Sequence, residues 1–543
     1  MPPSKLSSSG ATSCRPEASD PRMTNSGFSR QLGLRSLTLA VVTSTIGSGW
    51  LFAPLYAARS AGPWALMAWL LGGGLTFALA LVFAELGSLV NSSGALAEIP
   101  LLSHGRTAAF IGGWCAWVAY LALPTVEVLA VMEYLASSLP WLTQASTAGG
   151  ASTTGQVLSG AGMALATTLL VLLAWINLAG VGWLARWIDG LTSWKLIVPL
   201  LVSISLMAAS GHWGNLSSAP PNPQGLVTAI SSGGILFSLL GFRTAMDLAG
   251  EARRPQRTVP LAMALGLGIS LAIYLILQLA FLVSVPPGEL SGGWGALRLS
   301  AHGGPLVALA LGLGFGWMAK LLLLDALISP TATAMTYMGA AARVGWAMGR
   351  ERLLPVGLSR LNRQAVPAVA LLFSLGLGVL LLLSGPGWQQ VVSFLTATLV
   401  IALAMGPVSL VALRRQLPTA QRGYRLPWAT TWCRATFVLA TWAISWCGTT
   451  ALRGAVVLVL VPALGFLLLQ QLWQTAHQAR QGIWWFLYLG GIVAITAPPL
   501  PLGWQLAGLA LWALVVFPLA VGSAPCQAHQ SPEGQRQPIV EMR

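Results

Sequence analysis

Charge is scarce in this chain, and several chemical motifs are missing altogether. Only 8% of its 543 residues are charged, where soluble domains carry roughly a quarter, so no ordinary water-facing surface can be built from it. The five cysteines (Cys14, Cys115, Cys433, Cys447, Cys526) include no CxxC pair, which excludes a disulfide framework or a cysteine metal site. The five histidines (His104, His212, His302, His477, His529) are scattered over loops without HExxH or i, i+4 pairing, and no glycine-lysine phosphate loop is present. No metal, cofactor or ATP site follows, and an enzyme is not expected. Lys and Arg outnumber Asp and Glu by 29 to 14, yet no basic run is interleaved with stacking aromatics as nucleic acid binding requires. Residues 1–30, rich in Ser, Pro and Arg, lack the apolar core of a signal peptide and read as a disordered tail.

What the chain has in abundance is apolar length. Hydrophobic residues make up 55% and mean hydropathy is +0.73. Runs long enough to cross ~30 Å of hydrocarbon recur almost end to end. They predict spans at 34–57, 63–87, 107–138, 161–179, 188–210, 228–250, 258–285, 305–340, 366–384 and 388–413. Four more are predicted at 433–451, 454–471, 483–498 and 502–521. Fourteen helices is the expectation, with twelve if the last four are short or re-entrant. Lys and Arg should gather on alternate, cytoplasmic loops. With the N-terminus inside, the outer loops hold only Arg59, Arg298 and Arg453, while Lys195, Arg243 and Lys320 fall within spans. Topology thus accounts for the basic excess. The division expected is a cytoplasmic tail (1–30), a ten-helix core (31–415), helices 11–14 (416–522) and a second cytoplasmic tail (523–543), in the cell (inner) membrane. The basic stretch 342–367 predicts a short amphipathic helix on the inner surface, either gate or lipid-facing.

Two spans are interrupted at their centres by glycine: Ile46-Gly47-Ser48-Gly49 in the first and Leu240-Gly241-Phe242-Arg243 in the sixth. Glycine inside a helix costs about 1 kcal/mol relative to alanine, and hydrocarbon cannot solvate an unwound turn. Such breaks suit segments that line a cavity. In corresponding positions of two halves, they mark the midplane site of a secondary transporter. Unwinding at Gly47 to Gly49 would free amides at a half-helix N-terminus, fitted to a carboxylate such as that of an amino acid. The alternative is that the glycines only permit close helix packing.

IGSGW in helix 1, FAELGSL at the end of helix 2, GFRTAMDLAGEARRPQRTVPLAM through helix 6 and SPTATAMTYMGAAARVGWAM through helix 8 together resemble the amino acid, polyamine and organocation (APC) transporter superfamily. Within it, IGSGWLFAPLYAA, PTVEV, GFR and LLLDALISP look most similar to the bacterial aspartate:proton symporter type. The resemblance implies an all-α polytopic membrane protein. Helices 1–10 would form a five-plus-five inverted repeat with helices 1 and 6 unwound, followed by about four additional C-terminal helices. Three positions depart from the superfamily pattern: Arg243, where an acidic residue is usual, Ala95 and Ala332, where glycines are usual. They bear on substrate rather than on fold.

Intramembrane charges narrow the chemistry. Arg243 suits planar pairing with a substrate side-chain carboxylate, which would favour aspartate or glutamate; the alternative is an internal pair with Asp247 at i+4, Glu127 or Asp325. Lys195 lies where a charge costs roughly 2.5 to 3.5 kcal/mol to insert. The resemblance implies that such a helix 5 lysine sits against helices 1 and 8 in place of a sodium ion and couples transport to protons. Snorkelling to the inner surface is the alternative. Glu127 and Asp325 are read as proton carriers or as partners of Arg243 or Lys320. Glu85 is expected to pair with inner-loop arginines.

The function expected is secondary active, proton-coupled uptake of an acidic amino acid by alternating access. The alternative is a neutral or cationic amino acid transporter or an exchanger. The substrate carboxylate would rest on the amides of Gly47, Ser48 and Gly49, and its amino group on carbonyls near Ser44, Thr45 and Leu240. Ile46 and Gly241 complete the breaks, Phe242 would shield the substrate and Arg243 would read its side chain. Lys195, Glu127 and Asp325 are the expected proton-coupling residues. The partners expected are an amino acid, protons and the bilayer, without nucleic acid; the oligomeric state is left open.

Overall fold

A computed structural model describes residues 32–90, 94–136, 138–145, 156–179, 184–299, 304–385, 387–472 and 482–525. The expected N-terminal tail, and the C-terminal tail from residue 526, lie outside the described residues. Each of the fourteen predicted segments is occupied by a helix or by helices meeting at a break. α1 (Leu34–Thr45) and α2 (Gly49–Ala61) share the first; α3 (Ala65–Leu89), α4 (Ala95–Leu135), α5 (Gly160–Leu178) and α6 (Leu184–Ala209) follow. The sixth segment holds α7 (Pro223–Ser231), α8 (Ile235–Leu239), a 3-10 turn over Leu240–Arg243 and α9 (Thr244–Asp247). Next come α10 (Pro255–Ser284), α11 (Pro305–Gly312), α12 (Gly316–Arg350), α13 (Ala368–Leu383) and α14 (Trp388–Gln416). The C-terminal helices are α15 (Ala429–Ser445), α16 (Thr449–Leu472), α17 (Trp484–Thr496) and α18 (Leu502–Gly522). Among the described residues, nine helical stretches are long and apolar enough to cross a membrane, or ten if the pair bent by 46° across Ser231–Ile235 is one span.

The pattern of apolar residues decides where each helix sits. α4 is apolar on every side and its span is wholly buried; it forms the central column, packed against α12 and α14. α16 instead exposes Val457, Val461, Leu464 and Leu468, a stripe at i, i+4, i+7 and i+11 that lies along one helix face and suits lipid. Two groups of helices emerge. α1 and α2, α3, α7 to α9 and α10 pack on one another, while α4, α5, α12 and α13 form the second group. α15 packs on α14 and α3, and α18 on α15.

Polar locks close the arginine-rich end. Leu32 and Ala252 form a parallel bridge, with Leu32 N donating to Glu251 O at 3.0 Å and Arg253 N to Leu32 O at 2.7 Å. The chain before α1 is thereby fastened to the chain after α9. Glu85, fully buried, pairs with Arg414 at 2.6 Å and Arg422 at 3.2 Å, the inner-loop pairing expected of it. The amphipathic helix expected in 342–367 does not form. α12 runs on to Arg350, where Arg343 pairs with Glu251 (3.6 Å) and Arg350 with Glu98 (2.8 Å). Arg352 at φ 54° and the following Pro355 then end the helix, leaving a 3-10 turn at Val356–Ser359. His104, expected in a loop, is buried in α4 just before its kink at Gly105 and lies 3.0 Å from Ala520 O.

Candidate substrate site

The first interruption is open, as the sequence predicts. α1 ends at Thr45, Ile46 to Ser48 are non-helical, and α2 restarts at Gly49. A protein carboxylate already lies against it. Ser48 N donates to Glu127 Oε2 at 2.7 Å, and a Cβ on Gly47 would fall 2.5 Å from Glu127 Oε1, so glycine is what lets the carboxylate approach. The carbonyls before the break are engaged too: Ser44 O accepts from the Tyr337 hydroxyl (3.1 Å) and Thr45 O from that of Tyr274 (2.9 Å). On the far side, Trp388 at the start of α14 donates from Nε1 to Ser48 Oγ (3.0 Å) and stacks on Tyr56.

The second interruption lies elsewhere than expected. Leu240 to Arg243 stay helical as a 3-10 turn, and the open break falls at Ser232 to Gly234, where Gly234 takes φ +88° before α8. A 3-10 turn keeps its carbonyls in i to i+3 hydrogen bonds, so Leu240 does not offer an unwound backbone. Gly241 serves a close approach instead: a Cβ there would lie 2.4 Å from Thr45 Oγ1 and 2.7 Å from Thr45 N. The packing alternative therefore describes Gly241, and also Gly49, where a Cβ would fall 2.2 Å from Ser238 Oγ, while the opening is at Gly47. Phe242 does not shield the cavity; it is fully buried, with its ring 6.5 Å from that of Phe83.

Arg243 is 1% exposed and forms no direct ion pair with Asp247. A tyrosine stands between them: Arg243 Nε donates to Tyr120 Oη at 2.9 Å, and the Tyr120 hydroxyl donates to Asp247 Oδ2. The guanidinium carbon lies 4.4 Å from the Tyr120 ring centroid and 5.6 Å from that of Tyr337, within cation–π range. Nη1 has no hydrogen-bond partner among the described residues.

Lys195 is fully buried and joins α6 to α1 and α12, donating to Thr43 O (2.9 Å) and Thr333 Oγ1 (2.6 Å). Its ammonium faces inward, so snorkelling does not describe it. Asp325 pairs with neither Arg243 nor Lys320. It accepts from two indoles, Trp194 Nε1 at 2.7 Å and Trp50 Nε1 at 3.0 Å. Lys320 is exposed, one turn into α12, where its long stem can reach an interface.

A narrow pocket with room for about one water molecule joins the α1–α2 break to the Leu240–Arg243 turn. Of the residues expected at the site, Ser44, Thr45, Gly47, Leu240, Arg243 and Glu127 line it. Ile46, Ser48, Gly49 and Gly241 lie behind that lining, and Lys195 and Asp325 form a separate polar cluster beside α1. Sequence reasoning missed Phe237, Tyr337, Leu123, Leu395 and Leu399 in the lining, and Tyr120, Thr333, Trp50 and Trp194 around it. These are ordinary apolar and aromatic residues of apolar spans, indistinguishable by pattern from core. Thr333, one turn after Ser329-Pro330 in the SPTAT stretch, was the legible one.

Two groups of packed helices, a central span broken by glycine and a buried cavity with an arginine and a carboxylate on its walls define a solute transporter of the helical membrane class. The family model described as "Amino acid permease" matches residues 32–466, and the chain belongs to that family, within the APC superfamily. It is 29% identical to the glutamate/serine transporter AimA of Bacillus subtilis over 512 residues, 91% of this chain and 94% of that one. It is 32% identical to the aspartate-proton symporter of the same organism over 405 residues, 74% and 76% of the two chains. A solved manganese transporter of Eremococcus coleocola superposes with a TM-score of 0.50 at 12% identity, covering 92% of this chain and 99% of that one, a likeness of fold alone. The protein is an amino acid transporter embedded in a membrane by many spans, not an enzyme.

Proposed function

We propose that the protein takes up an acidic amino acid together with protons by alternating access, with its N-terminus and arginine-rich end in the cytoplasm of a cell whose inner membrane it spans. The observation that carries this reading is Arg243, a buried residue of the cavity wall whose Nη1 has no partner among the described residues. A buried donor without an acceptor costs about 1 to 3 kcal/mol, more when charged, and a second carboxylate on the substrate would remove that cost. Charge-assisted pairing of a guanidinium with a carboxylate is also directional, so it discriminates aspartate and glutamate from neutral amino acids.

Proton rather than sodium coupling is supported by Lys195. Its ammonium bonds a carbonyl of α1 and a hydroxyl of α12, so a cation is already built into the junction. Loss of its proton would release α1 from α12. The aspartate-proton symporter among the relatives agrees with this reading. A neutral substrate such as serine is the second reading, favoured by the Tyr120 bridge that leaves Asp247 beside Arg243 and by the relative that carries glutamate and serine.

The test is uptake of labelled amino acids into proteoliposomes under imposed pH or sodium gradients. Aspartate or glutamate accumulation driven by an acidic exterior is expected. Drive by sodium alone, or preference for neutral amino acids, would contradict the proposal.

A further inference from the structure

Glu127 occupies the place where a substrate carboxylate has to bind, and we propose that the two carboxylates exchange there. The substrate takes over the amides at the start of α2 when Glu127 leaves them carrying a proton. This rests on the proposed proton-coupled uptake and adds to it the group that carries the proton and the count: one proton for each carboxylate seated.

α2 has 13 residues and opens directly on the break. Its N-terminal end carries a partial positive charge and free amides, which hold one anion well. Glu127 provides that anion now, with Oε2 on Ser48 N and Oε1 pressed over Gly47. Its carboxylate is 1% exposed and on the cavity wall. The same cavity holds a second, independent sign of an anionic ligand: Arg243, 1% exposed, whose Nη1 has no hydrogen-bond partner among the described residues. The lining thus sets one guanidinium opposite one carboxylate, and Nη1 is the donor left without an acceptor among the described residues.

The groups that face Glu127 are Lys195 from α6, Tyr274 from α10, Tyr337 from α12 and Arg243 across the cavity. The other buried acids nearby are committed, Asp325 to two indoles and Asp247 to Tyr120. Glu127 is held by the amide and the hydroxyl of Ser48, both on the break itself, and is the carboxylate that lines the cavity. Two carboxylates in a dry site repel, which favours the protonated form of one of them. The exchange balances: one proton from the outer solution adds to Glu127, the Ser48 N–H passes from Glu127 to the substrate, and one negative charge remains at the start of α2. Release toward the cytoplasm reverses each change. Because every amino acid carries an α-carboxylate, the exchange does not depend on side-chain specificity.

Purified protein in weakly buffered solution with a pH indicator tests this when saturated with aspartate, or with whichever amino acid the uptake panel identifies. About one proton taken up per substrate bound is expected for the wild type, and none for Glu127→Gln. That variant should bind substrate several-fold more tightly, because its competitor has lost its charge. In proteoliposomes it should exchange substrate but fail to accumulate it under a pH gradient. Glu127→Asp, one methylene shorter, should retain proton uptake, which separates loss of charge from a failure to fold. Proton uptake that persists in Glu127→Gln overturns the exchange while leaving proton-coupled transport standing. Substrate binding to wild type without proton uptake also overturns the exchange, whereas only failure of a pH gradient to drive accumulation overturns proton-coupled uptake.

Discussion

At the α1–α2 break the backbone opens and a side chain closes on it; at the Leu240–Arg243 turn the backbone stays closed and a side chain opens onto the cavity. Both segments carry glycine in the middle of an apolar span, and both touch Thr45 or its neighbours. The difference comes from what each glycine meets. Gly47 meets the carboxylate of Glu127, while Gly241 meets the backbone and hydroxyl of Thr45. The missing Cβ admits an anion in the first case and a neighbouring helix in the second. In the proposed function, one region handles what all amino acids share, the α-carboxylate, and the other handles what distinguishes them.

If that division holds, the largest effect should follow loss of the open side chain. Arg243→Ala is expected to lower uptake of an acidic amino acid by about 100-fold or more, from charged hydrogen bonds of about 1.5 to 3 kcal/mol each. Uptake of a neutral amino acid should fall far less, and initial rates for both substrates in the same vesicles check the ratio. Gly47→Ala comes next. Its methyl would stand 2.5 Å from Glu127 Oε1, so the carboxylate or the break has to shift at about 1 to 3 kcal/mol. An order-of-magnitude loss of transport for acidic and neutral substrates alike would distinguish it from Arg243→Ala. Tyr120→Phe removes the hydroxyl between Arg243 and Asp247 but keeps the ring under the guanidinium. A KM increase of roughly 3- to 10-fold for the acidic substrate, with kcat little changed, is expected for about 1 kcal/mol of positioning. The smallest effect should be that of Phe242→Leu, which conserves much of the buried volume and touches no cavity wall. Transport within about twofold of wild type is expected, with a thermal shift assay reading the packing cost of under about 1.5 kcal/mol.

The membrane-spanning architecture was legible in the sequence because its causes are local. Apolar length sets each span, and the basic loops between spans mark one end, where the structure places the Leu32–Ala252 and Glu85 locks. Intramembrane charges also stood out, since each is costly: Lys195, Arg243, Glu127 and Asp325 all proved buried among specific polar neighbours. What those neighbours are was not legible. The two indoles on Asp325 and the tyrosine between Arg243 and Asp247 come from α2, α6 and α4, and no spacing along the chain links them. Phe242 and Phe237 illustrate the same limit. Both are apolar aromatics in one broken span, and only the path of the chain through Gly234 turns Phe237 rather than Phe242 onto the cavity. Glu127 could be placed mid-membrane from sequence, but its position over Gly47 depends on how α4 lies against the α1–α2 break.

A structure determined with aspartate bound tests the division between the two regions most directly. The account predicts one substrate carboxylate within hydrogen-bond distance of Arg243 Nη1 and the other on Ser48 N, with the Glu127 carboxyl withdrawn from that amide. Aspartate seated with its side chain away from Arg243, and Glu127 still accepting from Ser48 N, would contradict it.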